Sequence, residues 1–409
     1  MVALRPLSPL LFGLLILPLG IFVGFTATPL PFLLSKAGVS VEDTANITAI
    51  APFSAVLAVV IAPVVDTLLR RRTWLSLSSI VSGATFAAIF PFIGSAHTGW
   101  LICTILLAGC ASSMVLAACG GLLAHLLSPG LQSKASGWWQ AGFLGGGSLG
   151  GGAILWLGHH MSLTAVGILF GGFIALLGIV PLWIDEPPPR AGSGVLTHLV
   201  QIARELWGVI RAPRRRWSAA LLVSPIGTGA AQFLLPAIAA QFGVGEAGVG
   251  WINGVGAGVF MAGGAMLGVL IPGTSDRRLM YAGSAAANAL ALGILLMARR
   301  PETYFFGVTL YLVTNGFCQV WYIALSSEIV GVATQSASVL FSALNALGVI
   351  PLMYMIWFDG QGYRYFGLHG LILTDSGAAL GVCAIVSATF LLARLCRARA
   401  RIPAVGAGR

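Results

Sequence analysis

Tyr311, Asn315, Cys318 and Tyr322 follow one another at steps of four, three and four residues. On a helix with 3.6 residues per turn those steps place all four on one face, with Gln319 beside it. A row of phenols, a carboxamide and a thiol offers neutral hydrogen-bonding groups, chemistry suited to holding a polar organic molecule. The surrounding segment is apolar, so this strip has to look toward other helices or into a wet cavity. Hydrogen bonding between helices is the plainer role for each residue. Two acids lie within or beside an apolar run that no obvious loop explains: Glu328, at the end of the same segment, and Asp375, between Thr374 and Ser376. Glu328 is the first candidate to carry a coupled proton and Asp375 the second. Their plainer readings are a carboxylate solvated at a boundary, for Glu328, and an acid favoured by a helix N-terminal dipole, for Asp375.

Other chemistries find no footing. The six cysteines, Cys103, Cys110, Cys119, Cys318, Cys383 and Cys396, sit in or beside apolar runs without metal-ligand spacing, which argues against a zinc site or a disulfide framework. A phosphate-cradling loop of the Gly-x-x-x-x-Gly-Lys-Ser/Thr type needs a lysine, and Lys36 and Lys134 are the two lysines of the chain, neither in that context. No cofactor is expected, and neither is an enzymatic role: acids and histidines are scattered in depth and do not converge.

The elements that position these residues follow from composition. Of 409 residues, 57% are hydrophobic and 8% charged, against about 25% charged in a soluble domain. Apolar runs long enough to cross a hydrocarbon core recur along the whole chain. Charge, Pro and Gly divide it into twelve spans: Leu10 to Leu34, Ile47 to Val65, Trp74 to Ile93, Trp100 to Leu127, Gly137 to Leu157, Leu163 to Ile184, Trp217 to Phe242, Val249 to Ile271, Leu279 to Ala298, Tyr304 to Leu325, Ala337 to Trp357 and Gly370 to Leu392. The opening run lacks a cleavage site and reads as a first span, not a signal peptide. With both termini in the cytoplasm, 18 of the 22 basic residues fall inside, leaving Lys36, Arg299, Arg300 and Arg364 outside. The net charge of +10 is thus topological and points to no nucleic acid.

The fold class expected is an all-α membrane protein with two pseudo-symmetric six-helix bundles, residues 1–186 and 217–409. A cytoplasmic linker, 187–216, separates them. Within it Leu196, Leu199, Val200, Ala203, Leu206, Trp207 and Ile210 recur at helical spacing, as in a helix lying on a membrane surface. The halves are weakly similar: Pro18, Gly20 and Gly24 in the first span correspond to Pro225, Gly227 and Gly229 in the seventh.

Ala62-Pro63-Val64-Val65-Asp66-Thr67-Leu68-Leu69-Arg70-Arg71-Arg72 resembles the cytoplasmic signature of the major facilitator superfamily, with Ala62 and Leu69 replacing its glycines. The resemblance makes Asp66, Arg70 and Arg71 a gating motif, in which charge-assisted bonds made in one transport state bias the alternation. Gly24-Phe25, Leu30-Pro31, Leu33-Leu34 and Gly38-Val39-Ser40 resemble the AmpG branch of that superfamily. So do Gly145 to Gly152 with Leu155-Trp156-Leu157, Ala333-Thr334-Gln335 with Leu344-Asn345-Ala346-Leu347, and Gly367-Leu368-His369-Gly370. The glycines from Gly142 to Gly152 also resemble the fifth-span motif of drug antiporters without its central Pro; close helix packing is their plainer reading.

That branch includes permeases for muropeptides, acetyl-coenzyme A and, more loosely, siderophores. The resemblance therefore implies uptake of a fairly large polar solute; the expected function is a secondary carrier, a monomer in a bacterial inner membrane, that imports a medium-sized polar organic solute by symport with protons. The resemblance also implies a cavity lined by the first, fourth, seventh and tenth spans. Thr26, Thr28, Ser112, Ser113 and Gln232 then join the tenth-span residues, with Asn345 behind them. An exporter of the same fold is the nearest alternative; a membrane-embedded enzyme or a non-transporting sensor belongs to another class.

Overall fold

The computed structural model describes residues 8, 10–67, 69–95, 97–126, 129–186, 200, 203–204, 207–208, 211–269, 276–330 and 337–400. Among them every regular element is helical. A chain this apolar has no other economical choice, because a segment inside a bilayer must satisfy its own backbone N–H and C=O groups.

The first half comprises α1 (Leu10–Lys36), α2 (Val41–Thr67), α3 (Arg71–Phe92), α4 (Thr98–Leu126), α5 (129–160) and α6 (Leu163–Trp183). The second comprises α7 (213–242), α8 (246–269), α9 (Arg277–Leu296), α10 (Pro301–Val330), and α11 (337–366) and α12 (368–400). The last two are arms of one helical stretch bent at Gly367, whose φ of 60° and ψ of −144° lie outside helical geometry. Eight helical stretches among the described residues are long and apolar enough to cross a membrane, and one of them holds both arms. With α2, α5 and α7 the spans number twelve. Between the halves, Val200, Ala203, Arg204, Trp207, Gly208 and Arg211 are helical. Val200 and Trp207 are exposed there, and the Arg211 guanidinium lies over the Trp207 ring at 5.3 Å.

Several spans outrun the expected outline, among them α2, which starts at Val41, α5, which starts at Pro129, and α12, which ends at Ala400; two further departures bear on the site. The eleventh does not stop at Trp357 but runs nine residues further, to Phe366. Asp359 follows the expected end at Trp357, yet its side chain is fully buried, so this charge sits inside the bundle and does not mark a membrane boundary. The seventh is not continuous. A helix, Pro213–Leu222, gives way to irregular chain and then to the short turns Ala230–Phe233, Leu235–Ile238 and Ala239–Phe242. Pro225 has no N–H to donate, and Gly227 and Gly229 take φ of 60° and 72°, a left-handed conformation that glycine adopts without cost.

Small residues set the distances between helices. A Cβ on Gly142 of α5 would stand 2.1 Å from the Gly13 carbonyl oxygen of α1, and one on Gly24 would stand 2.0 Å from that of Gly147. The α1 and α5 backbones therefore touch, which is the packing reading of the glycine cluster. Across the halves, α5 meets α8 at Gly151 and Gly254, and α2 meets α11 at Ala45 and Gly360.

Candidate functional site

The break in α7 and the strip on α10 face each other. Asn315 Nδ2 points at Gln232 Oε1, 3.5 Å away. A Cβ on Gly229 would fall 2.5 Å from that same nitrogen, and one on Gly227 3.3 Å from the Cys318 Cβ. The α7 glycines thus let unwound backbone settle directly on the polar face of α10. Tyr281 of α9 ties down the loose chain through a 2.7 Å bond from its hydroxyl to the Ile226 carbonyl. The Tyr304 hydroxyl reaches the Leu235 carbonyl at 3.0 Å and Asn253 Oδ1 at 2.8 Å. Unwound backbone inside a helical bundle is tolerated where protein or a wet cavity satisfies it. A cavity of ≈ 180 Å³ adjoins the break, with Gly227, Thr228, Tyr281, Gln319, Tyr322 and Pro351 among its lining.

The strip is therefore divided along its length. Gln319 and Tyr322 border the cavity, and the Tyr322 hydroxyl donates to the Leu344 carbonyl of α11 at 2.9 Å. Asn315 faces the break, while Tyr311 and Cys318 are buried among helices. Asn288 of α9 braces the strip from behind, donating to the Tyr311 carbonyl at 2.9 Å.

The candidates from the first half do not converge on this cavity. Thr26 spends its hydroxyl on its own helix, at the Phe22 and Val23 carbonyls. Ser112 bonds Ser82 of α3 at 2.8 Å, and Ser113 is buried. Thr28, at the break of α1 before Pro29, reaches across the halves to the Asn253 carbonyl at 2.8 Å. The side chains of Asn345 and Asp66 lie outside the described residues. Arg70 stands at the N-terminus of α3, and the Arg71 and Arg72 backbone N–H groups donate to Glu186, at 3.2 and 2.9 Å. Glu186, at the end of α6, thereby caps α3.

The two acids part company. Glu328 is half exposed and stands 3.9 Å from Arg277. Asp375 is buried. Near it lies Asp359, fully buried, with the Thr374 hydroxyl bonded to it at 2.9 Å; sequence reasoning missed this acid because the eleventh span was ended too early.

Polar bonds join the halves at the end away from the arginine-rich loops. Lys36 of α1 pairs with Glu246 of α8 at 2.7 Å, and Glu42 of α2 pairs with Arg364 of α11 at 2.7 Å while accepting from Gln361 at 3.1 Å. The Ser35 hydroxyl donates to the Ala237 carbonyl at 2.8 Å. Beneath them Leu33, Ala45 and Leu155 of the first half belong to one buried cluster with Leu234, Ile238, Phe242 and Met355 of the second.

Two helical halves latched at one end, with a broken helix and a polar strip between spans, define a membrane carrier. Residues 10–351 match the family model of the Major Facilitator Superfamily, and the chain belongs to that superfamily. Its fold is similar to the crystal structure of a mutant of the nucleoside transporter NupG, with a TM-score of 0.71 at 12% identity over 93% of this chain and 99% of that one. It is also similar to a bacterial homologue of the human lysosomal transporter Spinster, inward-facing and unoccupied, with a TM-score of 0.68 at 15% identity over 93% and 95% of the two chains. For the D-xylose–proton symporter the TM-score is 0.66 at 11% identity over 91% and 96%. No curated protein matches the sequence significantly.

Proposed function

We propose that this protein is a secondary active carrier that imports a medium-sized polar organic solute, muropeptide- or siderophore-like, across a bacterial inner membrane in symport with protons. The observation that carries the reading is the closure of one end. Lys36–Glu246, Glu42–Arg364 and the cluster around Leu33 and Phe242 seal the halves together where basic residues are few. By the positive-inside rule that end is periplasmic, so the carrier is closed to the outside. This is the state that releases an imported cargo inward. The inward-facing Spinster homologue supports the same conformation, and the xylose–proton symporter of similar fold supports proton drive.

In this reading Gln232, Asn315, Gln319 and Tyr322 hold the solute, and Thr28 belongs to the outer closure. Asp66 with Arg70 and Arg71 gates the cytoplasmic side. The coupling acid is Asp375 in preference to Glu328, because Asp375 is buried within the bundle while Glu328 is half exposed beside Arg277. The resemblance to the AmpG branch supports the solute class.

The test is uptake of a radiolabelled disaccharide-peptide and a ferric siderophore by right-side-out and inverted membrane vesicles containing the protein. Accumulation in right-side-out vesicles with the outside made acidic is the expected result. Accumulation in inverted vesicles alone makes the protein an exporter and overturns the reading.

A further inference from the structure

A second buried feature lies on the hairpin of α11 and α12. Asp359 and Asp375 each stand eight residues from Gly367, where the two arms meet. At 1.5 Å per residue both are about 12 Å along their helices from the bend, and so at similar depth. The arms touch: a Cβ on Gly370 would fall 1.8 Å from the Gly362 carbonyl oxygen. Asp359 is wholly buried and Asp375 is 7% exposed.

The hydrogen bonding of this pair is incomplete. The Thr374 hydroxyl serves Asp359 Oδ1 at 2.9 Å. Asp359 Oδ2, Asp375 Oδ2 and the Tyr311 hydroxyl are each buried without a hydrogen bond of ordinary length among the described residues, although Tyr311 and the Ala231 backbone lie close enough to Asp375 to act on it as donors. Tyr311 lies within electrostatic reach of both acids, and the acids within reach of each other. Cys318 of α10 is a further titratable group within electrostatic reach of Asp375 and Tyr311. The ion pairs between described residues, Lys36–Glu246, Arg277–Glu328 and Arg364–Glu42, lie elsewhere.

We propose that Asp359 and Asp375 form one proton-binding site, holding a single exchangeable proton between the two carboxylates, with Tyr311 as the neighbouring donor. Two ionised carboxylates buried together without a countercharge are costly. One added proton halves the charge and supplies a second donor, so that with Tyr311 there is a donor for each orphaned oxygen. A hard metal ion fits less well: it collects about six oxygen ligands, and no group of three or more His, Cys, Asp or Glu capable of holding a metal occurs among the described residues.

The site also touches the solute strip. The Ala231 backbone lies against both Tyr311 and Asp375, and the next residue, Gln232, faces Asn315. A solute that draws on Gln232 and Asn315 thus acts on the peptide that leans on Asp375 and Tyr311. This role in coupling rests on the proton-driven reading above; the existence of the proton site does not.

The probe is dicyclohexylcarbodiimide, applied to the full chain in lipid nanodiscs over a range of pH, with the modified residues mapped by mass spectrometry. A protonated carboxyl gives its proton to the reagent's nitrogen while its oxygen adds to the central carbon. The O-acylisourea so formed rearranges to a stable N-acylurea. Labelling is expected at Asp359 or Asp375, falling about tenfold per pH unit above its midpoint and equal in sodium and potassium chloride. Asp359→Asn, checked for folding by size exclusion and circular dichroism, is expected to leave Asp375 labelled with a displaced pH profile. No label on either acid, or protection by sodium, overturns the proposal; an unchanged Asp375 profile in Asp359→Asn overturns the pairing. A failed solute-uptake assay leaves these outcomes as they are, so the two readings stand or fall separately.

Discussion

Removing the outer latch should change which way the carrier faces. Glu42→Ala leaves Arg364 and Gln361 without their shared acceptor, and adding Lys36→Ala frees Glu246 as well. Side chains of Arg364 and Lys36 are more than half exposed while those of Glu42 and Glu246 are mostly covered. Each pair is therefore worth about 0.5 to 1 kcal/mol, near the upper part of the range for surface ion pairs. Loss of both shifts the inward-to-outward ratio by about five- to thirtyfold. Spin labels at Ser40, at the start of α2, and Glu302, at the start of α10, are both exposed and straddle the closed end. Double electron–electron resonance should show a longer distance rising from a minor to a major fraction in the double variant, and less so in the single one. An identical distance distribution in parent and double variant would refute the latch, leaving the apolar cluster around Leu33 and Phe242 as the whole of the closure.

Helix packing gives a sharper contrast: Gly142→Ala drives a methyl into the Gly13 carbonyl, whereas Gly145→Ala meets nothing within 4 Å. The first should cost about 1 to 3 kcal/mol or more in stability and the second almost nothing, read as thermal unfolding in detergent. Asn315→Leu should weaken solute affinity two- to tenfold, the value of about 0.5 to 1.5 kcal/mol for one neutral hydrogen bond, measured as a change in the concentration for half-maximal uptake. Glu328→Gln should leave pH-driven accumulation intact, because Glu328 is half exposed beside Arg277; loss of accumulation in that variant would return the coupling role to it. A reporter fused after Arg216 should prove cytoplasmic, as 18 of 22 basic residues on one side require.

The spans were legible in the sequence because length and hydropathy suffice to define a segment that crosses a bilayer. Steps of four, three and four likewise placed Tyr311, Asn315, Cys318 and Tyr322 on a single helix face. What escaped had a common cause, the use of polarity as a boundary. Asp359 lies just past the expected end of the eleventh span and is instead buried inside α11, about two turns before its end. Glu186, two residues beyond the expected end of the sixth span, caps the neighbouring α3. The unwinding of α7 was written in Pro225, Gly227 and Gly229, yet glycines of similar spacing in α1 remain helical because α5 backbone packs on them. Tertiary contacts decide between those outcomes, and a single chain read in isolation does not contain them.

Proton-driven import is tested most directly in proteoliposomes loaded at neutral pH and diluted into acidic medium with the radiolabelled solute that the vesicle assay selects. Accumulation above the external concentration is expected, with collapse of that accumulation by a protonophore and its loss in Asp375→Asn while exchange down the gradient is retained. Equal accumulation with and without the pH gradient, or a gradient-driven uptake untouched by Asp375→Asn, would contradict that expectation.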